Sequence, residues 1–338
     1  RRDARGGGRE DTVRRVASQW HDRRMKYIDA TTVGTHLATA PLLRALERMF
    51  AEGCTAPVRH AHTIPVPNAP DGSLLLMPAW RSGRYLGTKL VSVFPGNSQH
   101  GLAAVSAVYI LFDAQTGIPL VLMDGDELTG RRTAATSALA ARYLARPNAT
   151  HLLIIGSGRI ARELAITHRD ARPGLTRISV WSRSPERAVA LADSLRAADL
   201  PADSVTDLAL AASQADMISA ATLSTEPLLQ RAWIRPGTHL DLVGAFRPGM
   251  READDSLVAA SRVVCDTRAG VLAEADDVRV PIERGLLPVE QIYELAELCR
   301  GDAPGRQHAD EITLFKSVGA ALEDLAAAIV VYEGLQSA

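Results

Sequence analysis

Gly156, Gly158 and Ala161 are spaced G-x-G-x-x-A directly after the apolar run Leu152-Leu-Ile-Ile, and this is the clearest chemical signal in the sequence. In such a turn the first glycine permits a tight bend and the second lets backbone approach a diphosphate. The small third residue allows the following helix to pack close to the strand. The backbone from Ser157 through Gly158 and Arg159 to Ile160 would then turn its N–H groups toward the anion. The spacing alone is weak, since a glycine-rich turn need bind nothing. Here it lies between a strand and a helix, with a second strand about 25 residues on, which makes it a dinucleotide-binding turn.

The end of that second strand bears on which dinucleotide is held. A carboxylate there would accept hydrogen bonds from a ribose 2′-hydroxyl and favour NAD. The sequence instead reads Val180-Trp-Ser-Arg-Ser-Pro-Glu-Arg, so Ser182, Arg183, Ser184 and Arg187 offer donors and positive charge. Guanidinium groups match a phosphate in both geometry and charge. These residues predict NADPH, with NADH as the other option. The plainer alternatives are that Arg183 stacks on adenine and that Arg187 is a solvated helix residue.

Periodicity shows what must position this turn. Short apolar segments at 152–155, 178–181, 217–220, 240–243 and 263–265 are interleaved with helical ones at 160–168 and 185–197. That rhythm predicts an α/β doubly wound parallel sheet of Rossmann type. An Ala-rich helix over 132–144 leads into it. Earlier, Leu42, Leu43, Leu46, Met49 and Phe50 recur at helical spacing within 39–53, with Gly53 as a stop. Segments 60–66, 74–80, 86–94, 103–113 and 120–123 read as strands between Gly, Pro and Asn punctuation. The first part is therefore expected to be α+β with a mostly antiparallel sheet. A last helix over 312–335 is expected to return to it. The resulting division gives 25–130 and 306–338 to a substrate-binding and dimerisation domain, and 131–305 to the dinucleotide domain. Residues 1–24, rich in Arg and Gly without an apolar stretch, read as a disordered extension.

Composition narrows the class. At 338 residues there is room for two cores, and 46% hydrophobic with 23% charged residues argues against wholesale disorder. A formal net charge of −1 supplies no field to recruit nucleic acid or an anionic membrane. No apolar run reaches the ~18–20 residues of a membrane helix. Cys54, Cys265 and Cys299 are odd in number and form no CxxC pair, so neither a disulfide framework nor a metal site is expected. A reducing, cytoplasmic setting fits them.

Several further segments resemble one family, the ornithine cyclodeaminase/mu-crystallin group. They are Leu76-Met-Pro, Gly87-Thr-Lys89, Gly117-Ile-Pro, Met123-Asp-Gly, Leu128-Thr-Gly-Arg-Arg-Thr-Ala-Ala, the Gly156 turn and Ile312-Thr-Leu-Phe-Lys-Ser-Val-Gly. The resemblance runs from Met25 onward and is specific only when these are taken jointly. It implies a homodimer that binds a small amino or imino acid against a nicotinamide. It further implies that Arg59, Lys89 and Arg132 bind the substrate carboxylate, with Lys89 and Arg132 as the catalytic pair and Met77 and Phe246 as pocket walls. Thr133, Thr222, Val243 and Ser317 join the cofactor set by the same analogy. The chemistry agrees, because a carboxylate in a water-poor pocket needs charge-assisted partners.

One departure from the family is informative. Cyclodeaminases carry an Asp two residues before the Pro-Gly of the loop Asp241-Leu-Val-Gly-Ala-Phe-Arg-Pro-Gly-Met-Arg-Glu, where this sequence has Phe246. Phenylalanine accepts no proton, so the loop is closer to that of the ketimine reductase branch. Even there it differs, with Gly249 in place of an Asp. Asp241 reads as a structural strand-end residue, and His60 and His62 as structural rather than catalytic. The resemblance thus implies reduction of a cyclic imino acid such as Δ1-pyrroline-2-carboxylate, or its six-membered homologue. The alternatives are cyclodeaminase, amino-acid dehydrogenase, or a protein that binds NADP and a small ligand with little turnover. Lys89 would lend a proton if desolvation lowers its pKa.

Overall fold

The computed structural model describes residues 25–337; the extension expected over 1–24 lies outside them. Two sheets organise the chain. The first contains β1 (Lys26–Ile28), β2 (His60–Ile64), β3 (Gly72–Arg81), β4 (Tyr85–Val93), β5 (Val105–Asp113) and β6 (Pro119–Asp124), in the order β1-β6-β5-β4-β3-β2. All its pairings are antiparallel except that of β1 with β6. Alternation puts Met77, Ala79, Lys89, Val91, Tyr109, Leu111 and Met123 on one buried face. Onto that face pack the Thr39–Glu52 and Ala321–Gln336 helices, through Leu43, Leu46, Phe50, Leu325 and Ala328.

The second sheet contains β7 (His151–Ile155), β8 (Arg177–Trp181), β9 (Ala202–Ser204), β10 (Met217–Ala220), β11 (His239–Leu242), β12 (Arg262–Cys265), β13 (Tyr293–Glu294) and β14 (Thr313–Lys316). Every pairing is parallel, in the order β13-β12-β14-β11-β10-β7-β8-β9. The central strands are short and mostly apolar, as strands buried on both faces of a parallel sheet are. Strand order reverses between β7 and β10, which opens a crevice at the carboxyl ends of these strands.

Three sequence expectations change. Residues 312–335 do not form one helix: 313–316 are β14, and the helix is Ala321–Gln336. Thr313–Lys316 pairs with both β11 and β12, so the return to the first unit comes after β14 and not at 306. The helix read as starting at Arg132 begins at Gly125, where the Asp124 carboxylate caps it by accepting from the Glu127 N–H at 2.7 Å. This Gly125–Leu144 helix joins the two units, so a boundary at 130/131 would cut through it. Its Leu128 and Leu139 belong to the first core, while Ala134 and Ala141 pack with Ala161 and Leu164.

Candidate active site

Lys89 is in the middle of β4, its register neighbours being Met77 on β3 and Tyr109 on β5. Its side chain therefore points to the inner face, and it is only 2% exposed. An ammonium so placed is costly unless paired. Its partner is Asp324, in the first turn of the Ala321–Gln336 helix, with Nζ donating to Oδ1 at 2.9 Å. The same oxygen accepts from Arg132 Nε at 2.8 Å, and Arg132 Nη1 donates to Glu323. Arg132 is 4% exposed, and both acids are fully buried. The backbone at Gly319 comes so close to Arg132 that an added Cβ would lie 2.9 Å from two guanidinium nitrogens, and its φ of +83° also favours glycine.

These groups border a cavity of about 430 Å³ between the two units. Of the residues singled out from sequence, Arg59, Met77, Lys89, Arg132, Thr133, Arg159, Ile160, Val243, Phe246 and Ser317 all line it. Asp126 and Thr129, which the sequence reading passed over, line it too. Arg59 enters from the segment before β2, with Nε 2.9 Å from Glu274 and Nη2 donating to the Val318 and Gly319 carbonyls at 2.8 Å. Ser317 donates to Asp266 at 3.1 Å, and the same carboxylate oxygen accepts the Val318 and Gly319 N–H groups at 2.7 Å. His60 and His62 lie on the exposed edge strand β2 and do not line the cavity.

The remaining expected residues lie outside the cavity lining, on loops after the parallel strands or, for Arg187, in the first turn of the Pro185–Arg196 helix. Gly156 has φ +122°, and a Cβ there would lie 2.5 Å from the Ala221 carbonyl oxygen, so the turn after β7 demands glycine. A Cβ on Gly158 would meet nothing within 4 Å, so the N-terminus of the Arg159–Ala171 helix is open to an approaching anion. Ser157 and Ser182 hydroxyls are 3.1 Å apart and tie the ends of β7 and β8. Ser184 caps the Pro185–Arg196 helix and donates to Glu186 at 2.8 Å. Arg183 and Arg187 are exposed beside it. Thr222 donates through both N–H and hydroxyl to Glu252 at 2.8 Å, and Glu252 also receives the Gly244 N–H. The fit to a dinucleotide is good: a glycine turn, an open helix N-terminus and flanking cations.

Electrostatics inside the cavity are unusual. Burial pushes the Lys89 pKa down to about 8, assisted by Arg132, while Asp324 opposes the fall. Burial also works against the Arg132 charge, but Asp324 and Glu323 outweigh it and keep that pKa above its ordinary value. Glu323 is pushed up to about 7, chiefly by burial, with Asp266 and Asp324 adding to the rise and Arg132 opposing it. Asp241 is buried on β11, accepting from Ser219 at 2.9 Å, which makes it a structural partner within the sheet.

Sequence reasoning did not single out the acids that bond these cations and loops: Asp324 and Glu323, with Asp266, Glu252 and Glu274 behind the loops. One signal was available. Glu323-Asp324 interrupts a segment, Ala320-Ala-Leu-Glu-Asp-Leu-Ala-Ala-Ala-Ile-Val-Val, that is otherwise wholly apolar.

A parallel sheet with this strand order, a G-x-G-x-x-A turn and a cation-lined cavity against a second, antiparallel sheet define a two-domain protein of the Rossmann class. The chain belongs to the ornithine cyclodeaminase/mu-crystallin family, whose model matches residues 25–338. It is 38% identical over 276 residues to a Delta(1)-pyrroline-2-carboxylate reductase of Paracoccus denitrificans, covering 79% of this chain and 87% of that protein. The structure of the Thermococcus litoralis Delta(1)-pyrroline-2-carboxylate reductase, solved with NADH and L-proline, matches with a TM-score of 0.86 at 33% identity, covering 93% of this chain and 98% of that one. An archaeal alanine dehydrogenase dimer with bound NAD matches with a TM-score of 0.84 at 28% identity, covering 93% and 97%.

Proposed function

We propose that this protein reduces a small cyclic imino acid, Δ1-pyrroline-2-carboxylate or its six-membered homologue, using a nicotinamide dinucleotide, with NADPH preferred over NADH. One observation carries the reading: Arg59, Lys89 and Arg132 converge on a single cavity that adjoins the dinucleotide turn, while Phe246 closes it as an apolar wall. The similarity to imine reductases over nearly the whole chain supports the same reaction.

In this reading Arg132 and Arg59 clamp the substrate carboxylate, and the apolar walls at Met77 and Phe246 hold the ring and exclude water. The Gly156 turn would hold the diphosphate of a dinucleotide and Thr133, Val243 and Ser317 would border its nicotinamide, which when bound would supply the hydride. Lys89 delivers the proton to the ring nitrogen or keeps it there. A pKa near 8 suits that task at neutral pH, because the ammonium is formed and yet gives up its proton readily. Simple iminium ions have pKa values roughly near neutrality, so positioning carries much of the rate. No carboxylate is required in the loop after β11, which explains how Phe246 is tolerated there.

We also infer a homodimer, supported by the dimeric alanine dehydrogenase that this chain resembles. The three free thiols and the dinucleotide chemistry support a cytoplasmic setting. Among the described residues no helix is long and apolar enough to cross a membrane.

The test is NADPH oxidation with Δ1-pyrroline-2-carboxylate, run beside L-ornithine with ammonia detection. The expected result is rapid NADPH loss with the imine and no ammonia from ornithine. Ammonia release from ornithine without net cofactor change would overturn the reading.

A further inference from the structure

We propose that Asp324 is the positioning residue of this site, holding the Lys89 ammonium and the Arg132 guanidinium in one fixed arrangement so that each keeps donors free for the substrate. The inference deepens the imine-reduction reading and rests on it. Two cations from different elements, a β4 lysine and a helical arginine, share one carboxylate oxygen at 2.9 and 2.8 Å. Without that oxygen the two positive groups would repel each other in a site almost closed to water.

Counting donors shows what the arrangement leaves available. Lys89 has three N–H donors and uses one on Asp324, which leaves two for a ligand. Arg132 uses Nε on Asp324 and Nη1 on Glu323, and among the described residues its Nη2 has no protein partner. The geometry therefore assigns Nη2 to the substrate carboxylate and the remaining Lys89 donors to the carboxylate and ring nitrogen.

The competing explanation is that acids in a first turn simply complement the helix dipole. Two observations go against it. Neither Glu323 nor Asp324 caps a backbone N–H, since the N-cap is Ala320 without a side-chain bond. Both are fully buried and directed at the cations, a far more costly location than dipole complementation needs.

The groups facing Lys89 come from four other segments: Asp324 on the last helix, Arg132 and Asp126 on the Gly125–Leu144 helix, Tyr109 opposite it on β5, and Arg59 before β2. Of these, Asp324 is the one that bonds the ammonium and favours its charge, while Arg132 and Arg59 oppose it. Removing the carboxylate should let Lys89 lose its proton at lower pH.

The experiment is the pH dependence of kcat/KM for Δ1-pyrroline-2-carboxylate reduction by wild type, Asp324→Asn and Asp324→Glu, with cofactor affinity measured by nucleotide fluorescence. The substrate's own titration is common to all three, so displacement between proteins is the readout. Asp324→Asn should move the alkaline limb down by about one pH unit or more. Asp324→Glu, which keeps the charge but shifts it, should lower kcat with the limb and cofactor affinity near wild type. An unmoved limb in Asp324→Asn, with wild-type reduction intact, would overturn this inference alone. If Asp324→Asn does not fold, Asp324→Glu decides: reduced kcat supports positioning and undiminished kcat refutes it. Wild-type inactivity toward cyclic imines would instead refute the functional reading on which the inference rests.

Discussion

Arg183 and Arg187 stand exposed after β8, with no acid in the position that NAD-preferring strands use, and on these the proposed NADPH preference rests. A charge-assisted hydrogen bond to a phosphate is worth about 1.5–3 kcal/mol. Arg183→Ala should therefore lower kcat/KM for NADPH by about ten- to a hundredfold while changing that for NADH little. Equal loss with both cofactors, measured at fixed imine concentration, would remove the 2′-phosphate from the argument. At this scale Lys89 was legible because a lysine in an apolar, alternating strand has no comfortable structural explanation. Asp324 was not, because with one helix expected over 312–335 it interrupts an apolar run without any sign that Lys89 and Arg132 share it. Ser184, offered as a cofactor contact, also serves as the cap of the Pro185–Arg196 helix, a role that the following Pro185 already suggests.

The elements of the first sheet have two different faces. The inner one carries Lys89 and the helices; the outer one presents Leu74, Leu76, Trp80, Leu90 and Ile110, each only half-buried. Among the described residues these side chains form one partly exposed apolar face, which we propose as an interaction surface. A second copy is the proposed occupant, and the dimeric alanine dehydrogenase with the same fold supports that choice. Leu76→Glu should halve the mass seen by light scattering during size-exclusion chromatography while leaving the far-ultraviolet spectrum intact; a monomeric wild type would contradict the proposal. Strands of four or five apolar residues were readable from sequence: the strand expected over 217–220 is β10, and 178–181 falls one residue short of β8. Elements of three residues, such as β1 and β9, carry too few positions to show a period. The start of the Gly125–Leu144 helix was hidden by glycines at 125 and 130, which lower local helix propensity although the Asp124 cap compensates.

Over the whole molecule, the site exists only because the chain crosses between units more than once. The Gly125–Leu144 helix carries Arg132 across the junction, β14 inserts between β11 and β12, and the following turn delivers Ser317 and Gly319 beside Arg132. The last helix then returns to the first sheet with Asp324 facing Lys89. A βαβ rhythm cannot predict that insertion, because a four-residue strand after a long loop looks the same wherever it pairs. The resemblance brought Arg59, Lys89 and Arg132 together before the fold did, and only the structure showed the carboxylates that balance them.

The proposed function makes Lys89 and Arg132 the carriers of imine reduction. Its most direct test is kcat/KM for NADPH-dependent reduction of Δ1-pyrroline-2-carboxylate by Lys89→Met and Arg132→Met beside wild type, with cofactor affinity as the control. Loss of one charge-assisted contact to the substrate predicts a fall of about ten- to a hundredfold in each variant, at near wild-type cofactor affinity. Wild-type kcat/KM in both variants would contradict the account.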